Sequence, residues 1–300
     1  MAKVVLITKV NPTYDDLPEE RYHFPRTYMN AIQQAVGDWA IYYEPRRTST
    51  ELSSRGGRMA YFATARITHV APDPSTPDHF YAYVADFLEF ERYVPFREEA
   101  HYYESALRRP DGGTSKGMFG RAVRPIPDQE YDLILKAGFA SLLPFSNGAP
   151  TGEIASGLEE ESSIFERPII ERVVARPFRD AAFSRLIKSA YGDACAITGL
   201  KIINGGGRSE VQAAHIRPVA SKGPDSVRNG LALSGTIHWM FDRGLISIDD
   251  DYSILTAQGR VPDTLDRLIR PERCIATPSR TEFRPHPQFL KFHRDHVFKG

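Results

Sequence analysis

The chain has 300 residues, 38 Lys/Arg against 38 Asp/Glu, 41% hydrophobic and 25% charged residues, an ordinary globular composition with length enough for two domains. No apolar run approaches the ~20 residues of a membrane span, and the opening MAKVVLITKV has too short an apolar stretch and no small-residue cleavage site for a signal peptide. Cys195 and Cys274 form no CxxC pair and exclude a disulfide framework, so the expectation is a cytoplasmic protein with no membrane partner. The zero net charge hides a division: residues 1–166 hold 17 Lys/Arg and 24 Asp/Glu, a net of −7, and residues 167–300 hold 21 and 14, a net of +7. Two readings stay open. The basic half binds nucleic acid phosphates, or the two halves attract each other.

In chain order, VVLITKV (4–10) predicts a first strand. YHFPRTYMNAIQQAV (22–36) predicts a helix beginning near Pro25, because proline suits a first helical turn, and Gly37-Asp38 then turns the chain. WAIYYEP (39–45) and RMAYFATARITHV (58–70) are aromatic and β-branched and predict neighbouring strands, while 80–87 fits strand or helix. Five or six strands with one or two helices imply a small curved or barrel-like sheet. The stretch 144–168, rich in Gly, Ser, Pro and Glu, predicts a linker.

Beyond it, apolar residues at 182, 183, 186, 187, 190 and 191 share one helical face, with Asp180 as N-cap and Gly192 as stop. CAITGLKI (195–202) and SEVQAAHI (209–216) predict two short strands around the glycine loop 205–207. Ile237 begins a helix, ISIDDDYSIL (246–255) predicts a closing hairpin, and HPQFLKFHRDHVF (286–298) an amphipathic helix carrying His293 and His296 on its surface. The fold class is α+β, divided as 1–143, a linker at 144–168, and 169–300.

The chemistry lies between Val211 and Asp242. His215 ends a short apolar run, Asn229-Gly230 follows a loop, and His238 opens a helix with Asp242 one turn on. Phosphodiester hydrolysis needs a base for water, a cation for the phosphate and leaving oxygen, and a group that holds the base in its tautomer. A strand-end His supplies the first, an i, i+4 His–Asp pair on one helix face can bind the second, and a nearby amide can orient the base by hydrogen bonding. Arg217, Lys222, Arg228 and Arg243 flank the segment as candidate DNA contacts.

Four blocks in order, CAITG (195–199), AAHIRP (213–218), NGLAL (229–233) and HWMFDRG (238–244), resemble an HNH (ββα-metal) endonuclease of the predicted restriction type. The resemblance implies His215 as general base, Asn229 as the middle residue that orients the site, and His238 as metal ligand, with Asp242 a further ligand for one divalent ion (Mg²⁺, Mn²⁺, Co²⁺ or Ni²⁺). Ala214 stands where many of these enzymes carry a metal-binding Asp or His, and no CxxC pairs imply no structural zinc.

The first half, through HFPRTYM (23–29), GDWAIYYEPRR (37–47) and GRMAYFATARITHV (57–70), resembles PUA-like domains, related to SRA and EVE folds, that hold a flipped modified base among aromatic rings. Tyr22, Phe24, Tyr28, Trp39, Tyr42 and Tyr43 are its aromatic candidates, and Asp38, Glu44 and Asp86 its acceptors. The combined expectation is a homodimeric, modification-dependent restriction endonuclease acting on double-stranded DNA with modified cytosine. The alternatives are an HNH nicking or homing-type nuclease indifferent to modification, and a DNA-binding protein with a decayed site.

Overall fold

The computed structural model describes residues 2–9, 16–49, 53–142 and 169–300, so the predicted linker at 144–168 lies outside the described residues. The first half is one six-stranded mixed sheet. Its strands are β1 (Lys3–Ile7), β2 (Arg21–Pro25), β3 (Trp39–Glu44), β4 (Ala60–Pro72), β5 (His79–Pro95) and β6 (Val123–Ile126), in the order β2-β5-β4-β3-β1-β6. Only β1 and β3 run parallel. The ambiguous run 80–87 is strand, inside β5.

The long hairpin β4–β5 shifts register three times, and each shift adds bend and twist. One extra residue of β5 sits opposite Thr64–Arg66, where Asp86 takes the left-handed φ of 55°. The sheet curls without closing: β2 and β6 are its two edges, and the Tyr22 hydroxyl on β2 reaches the carbonyls of Ile7 and Ala122, both at 3.2 Å. It is therefore a half-barrel.

Alternation sorts its side chains onto two cores. Val4, Leu6, Tyr22, Phe24, Ala40, Tyr42, Phe62 and Phe87 pack on one face with Ile32 of α1 (Met29–Gln34), the helix predicted after Pro25. Val5, Ile41, Tyr43, Tyr61 and Phe90 pack on the other with Tyr131, Ile134 and Leu135 of α2 (Asp128–Gly138).

In the second half a short helix at Ile169–Val173 precedes α3 (Arg176–Ala190), which starts one turn earlier than predicted. Pro177 occupies its first turn, and Asp180 lies inside the helix, 3.6 Å from Arg176, instead of capping it. Helical spacing splits α3 between the halves: Phe178 and Ala182 join the α2 core, and Phe183 and Ile187 join the core of the second half.

That core is built on β7 (Gln212–His215) paired antiparallel with β8 (Gly230–Leu233), then α4 (Gly235–Asp242), the hairpin β9 (Ile246–Ile248) and β10 (Ile254–Thr256), and α5 (Pro287–His296). Residues 195–202 are not a strand. The Cys195 N–H donates to Leu200 O at 2.9 Å and the Gly199 N–H to Cys195 O at 2.8 Å, closing a turn that Gly199 permits at φ 74°. Its buried Cys195, Ala196 and Ile197 gave the run its strand-like look. His293 is a second correction. It is buried on α5 beside Phe289 and Leu290, stacked on Phe241 at 3.8 Å and bonded to Ser247 Oγ at 2.8 Å, so it belongs to the apolar face.

No described helix is long and apolar enough to cross a membrane.

Candidate active site

His215 is the last residue of β7, and Gly230 is its partner across the ladder. Gly230 is extended (φ −137°), not in a turn. A Cβ there would come within 2.2 Å of Ile187 Cδ1 and 2.9 Å of Phe183 Cζ. The close approach lets Phe183 stack on the His215 imidazole, centroids 3.9 Å apart and planes 10° from parallel.

The other restraint on that ring is a residue the sequence reading missed. Asp225 Oδ1 lies 2.9 Å from His215 Nε2, and the Asp225 side chain is 3% exposed against 18% for His215. Burial pushes the Asp225 carboxyl up, but the His215 hydrogen bond and the Arg179 guanidinium outweigh it and hold the group below the usual carboxylate range. An ionised carboxylate only accepts, so Nε2 carries the proton and Nδ1 presents its lone pair. Arg179 Nε and Nη2 sit 2.7 and 2.6 Å from Asp225 Oδ2, and Arg179 Nη1 reaches Asp86 Oδ1 at 3.2 Å. The signal that could have found Asp225 was the Pro-Asp-Ser following Lys222-Gly223, a stretch rich in turn residues between the AAHIRP and NGLAL blocks.

Asn229 does not touch the imidazole. It is fully buried; its Oδ1 accepts from the Arg217 N–H at 2.8 Å, and its Nδ2 donates to Arg217 O and Pro224 O at 3.1 and 3.0 Å. It thus staples the loop 217–224 that delivers Asp225. Gly223 is required where that loop closes, since a Cβ would meet Arg217 O at 1.8 Å. The group bonded to the imidazole is Asp225, not the predicted amide.

His238 and Asp242 lie one turn apart on α4, with Nε2 and Oδ2 separated by 3.5 Å. Gln212 Oε1 stands 2.8 Å from His238 Nδ1. With the proton on Nδ1, Nε2 is left as a ligand atom facing the carboxylate. His215, His238 and Asp242 line one cleft of about 360 Å³ with Ala213, Pro218 and Val219. Ala214 is buried on the opposite face of β7 and does not line it.

Among the described residues no group of three or more His, Cys, Asp or Glu is arranged to hold a metal. The donor set fits a divalent ion as a partial site, an imidazole and a carboxylate, with water and phosphate oxygens completing the shell. Cys195 is buried and free, and Cys274 is free.

The predicted DNA contacts divide. Arg217 Nη1 pairs with Glu20 at 2.8 Å, its Nε donates to Ser221 O, and its guanidinium lies over Phe292. Arg228 pairs with Glu19 at 3.4 Å. Lys222, in the left-handed region at φ 62°, lines a cleft between the halves with Glu19, Glu20 and Asp86. Arg243 is exposed and stacks on the exposed Trp239, 5.7 Å to the centroid, beside His238 and Asp242. Together with Arg179–Asp86 and Arg185–Glu91, these pairs use the charge division to join the halves.

The predicted base pocket is corrected. Tyr22, Phe24, Tyr42 and Tyr43 are buried core residues, and Tyr43 lies in the opposite core from the other three. Trp39 packs on the Tyr43 side, and Asp86 is engaged by Arg66 and Arg179. Strand alternation separates neighbours onto opposite faces, so these six residues line no common pocket.

Comparison with known proteins places a family on this geometry. Residues 195–249 match the family HNH_2, described as HNH endonuclease, and they span His215, Asp225, Asn229, His238 and Asp242. The match identifies an HNH endonuclease domain. No curated protein matches the chain. Among solved structures, a modification-dependent TagI restriction endonuclease is similar at 16% identity, covering 98% of this chain and 81% of that one, with a TM-score of 0.32. The N-terminal domain of Staphylothermus marinus McrB is similar at 12% identity, covering 45% and 94%, with a TM-score of 0.30. The type IV phosphorothioation-dependent restriction endonuclease ScoMcrA is similar at 14% identity, covering 79% and 46%, with a TM-score of 0.20.

Proposed function

We propose, from the HNH endonuclease domain at residues 195–249, that this chain is a modification-dependent restriction endonuclease: its sheet half reads a modified base, a modified cytosine in the first instance, and its second half cuts the DNA. The proposed division is 1–143, a linker at 144–168, and 169–300, although Ile169, Ile170 and Val173 pack with Phe178 and Ala182 of α3 against the sheet half's core.

The observation that carries the nuclease reading is the cleft on which His215 and the His238–Asp242 pair both open. His215 Nδ1 takes the proton of the attacking water. Asp225 keeps Nε2 protonated and stabilises the imidazolium that forms, as a buried carboxylate does for a catalytic His. Phe183 fixes the plane of the ring. Asn229 holds the loop that carries Asp225. His238 and Asp242 would hold a divalent ion, Mg²⁺, Mn²⁺, Co²⁺ or Ni²⁺, which when bound would supply positive charge for the scissile phosphate and the leaving oxygen. Arg243 on Trp239 flanks that end of the cleft as a phosphate contact. One such site cuts one strand, so double-strand cleavage calls for a homodimer.

The test is cleavage of matched plasmids, unmodified or carrying 5-methyl- or 5-hydroxymethylcytosine, in each of the four metals, with His215→Ala as control. Metal-dependent cutting of modified plasmid alone, lost in the variant, is the expected result. Equal cutting of all plasmids removes the base-reading half of the proposal, and undiminished cutting by His215→Ala removes the assigned base.

A further inference from the structure

The sheet half holds the consecutive residues 225–228 of the second half one by one. A parallel bridge joins Asp225 to Leu88 of β5. Ser226 Oγ donates to Glu19 Oε1 at 3.0 Å. The Val227 N–H donates to Glu89 Oε2 at 3.3 Å, and Arg228 pairs with Glu19 at 3.4 Å. Asp225, Ser226, Val227, Glu19 and Glu89 are all buried, so these contacts stand in for the water that their polar groups have lost. The carboxylate bonded to His215 therefore rides on a segment that β5 and Glu19 fix from the sheet side.

Helix α3 grips the same two side chains. Arg179 and Phe183 lie one turn apart and share a helical face. Phe183 stacks on the His215 ring, while Arg179 sets Nε and Nη2 at 2.7 and 2.6 Å from Asp225 Oδ2 and leaves Oδ1 for His215. The adjoining face, with Phe178 and Ala182, docks α3 on the core of the sheet half. Arg179 Nη1 reaches Asp86 Oδ1 at 3.2 Å, and Arg66 holds Asp86 Oδ2 through Nε at 3.0 Å and Nη2 at 2.9 Å. Charges thus alternate from Arg66 through Asp86 and Arg179 to Asp225, and the row ends on the imidazole. His215 must be neutral to act as a base, so it cannot offset the buried charge of Asp225. Arg179 does offset it, and its planar fork fixes the way the carboxylate turns.

We infer that Arg179 is a positioning residue of the nuclease site, and that the sheet half, through Asp86, Leu88 and Glu89 of β5, completes that site by holding the segment that carries Asp225. The inference rests on the nuclease reading of the proposed function. It makes the two halves joint owners of one active site: the second half supplies the groups that face the cleft, and the sheet half sets the carboxylate behind them.

The test uses the full chain with ¹⁵N-labelled histidine, as wild type, Arg179→Gln, Arg179→Lys, Asp86→Asn and Arg185→Gln. Arg185 is the control, because it also lies on α3 and joins the halves, but through Glu91 at 3.3 Å and Ser141 at 3.2 Å. Two readouts are taken on variants that unfold cooperatively with heat. One is the pair of ¹⁵N shifts of His215, assigned with His215→Ala, which report the ring nitrogen that carries the proton. The other is single-turnover cleavage of the unmodified, methylated and hydroxymethylated plasmids at saturating protein and metal, with duplex affinity measured separately. Wild type is expected to show one tautomer, protonated at Nε2. Arg179→Gln mixes the tautomers and slows cleavage by about 10-fold or more, with affinity within about threefold. Asp86→Asn moves both readouts the same way by less, Arg179→Lys recovers part of the rate, and Arg185→Gln matches wild type. Added to Asp225→Asn, Arg179→Gln costs less than about twofold more, since both act through one contact. A folded Arg179→Gln with the wild-type His215 signal and rate overturns the inference, as do equal losses in Arg179→Gln and Arg185→Gln. Wild-type behaviour of Asp86→Asn overturns the share given to the sheet half. Should Arg179→Gln fail to fold, Arg179→Lys and Asp86→Asn carry the same comparison. A wild type that cuts no plasmid, with the His215 signal still moved by Arg179→Gln, strikes the nuclease reading and upholds the tie from Arg179 to the ring.

Discussion

His215 Nε2 and Asp225 Oδ1 stand 2.9 Å apart, and the carboxylate that holds this imidazole is itself held by Arg179, which spans from the second half to Asp86 on the curled sheet. The ring that faces the cleft is thus tied, through two ion pairs, to the register shift in β5. Asp225→Asn keeps the shape but removes the obligate acceptor, so either tautomer of His215 can form. Single-turnover cleavage is expected to fall by roughly 10²-fold or more, with DNA affinity within about threefold of wild type; an unchanged rate would leave Asp225 a packing residue.

Gly230 makes the stacking of Phe183 on His215 possible. Gly230→Ala places a methyl 2.2 Å from Ile187 Cδ1 and 2.9 Å from Phe183 Cζ, and overpacking of this kind costs about 1–3 kcal/mol. Denaturant unfolding reads the loss. The cleavage rate should fall further than that of a core variant remote from His215 matched for stability.

Asp242→Asn leaves His238 bound to Gln212 but removes the anionic donor of the pair. The metal concentration for half-maximal cleavage is expected to rise by about 10-fold or more, with a smaller change in the rate at saturating metal. A variant with an unaltered metal titration would move the ion elsewhere.

Glu20 neutralises Arg217 and also accepts from Gln288 Nε2 at 2.8 Å. Glu20→Gln leaves Arg217 with an unopposed charge at the junction of the halves. If that charge reaches phosphate, affinity for unmodified duplex rises and the slope of log K against log salt steepens by about 1. An unchanged slope would assign Arg217 wholly to joining the halves.

Two buried groups set opposing pH dependences. Burial raises the Glu89 carboxyl to about 7 against the pull of Arg58. The unfolded chain then releases this proton first, so stability is highest below the unfolded value near 4.5 and falls as pH rises to about 7. Burial lowers His293 to about 4. There the unfolded chain takes up the proton first, so stability present above about 6.5 is lost as pH falls toward 4. Glu89→Gln should therefore be more stable than wild type at pH 8 by about 1–3 kcal/mol and lose that advantage near pH 4.5, while acid destabilisation through His293 persists. Urea unfolding at pH 4.5, 6 and 8 measures both.

Chemical identity was local and legible in the chain itself. The order of His215, Asn229-Gly230 and His238 with Asp242 one turn later was visible in the chain and took its meaning from the resemblance of four ordered blocks to an HNH endonuclease, while periodicity marked α4, α5 and much of the curled sheet. Where a side chain's role depends on what lies across the fold, the order of residues was silent. Asp225 reaches His215 because Asn229 closes a loop around it. Arg217 and Arg228 read as phosphate contacts until Glu20 and Glu19, some 200 positions away in the chain, are found beside them. The aromatic strands looked like a pocket, yet alternation spread Tyr42 and Tyr43 onto opposite cores. Periodicity fixes which face of an element a residue occupies; only packing decides what that face meets.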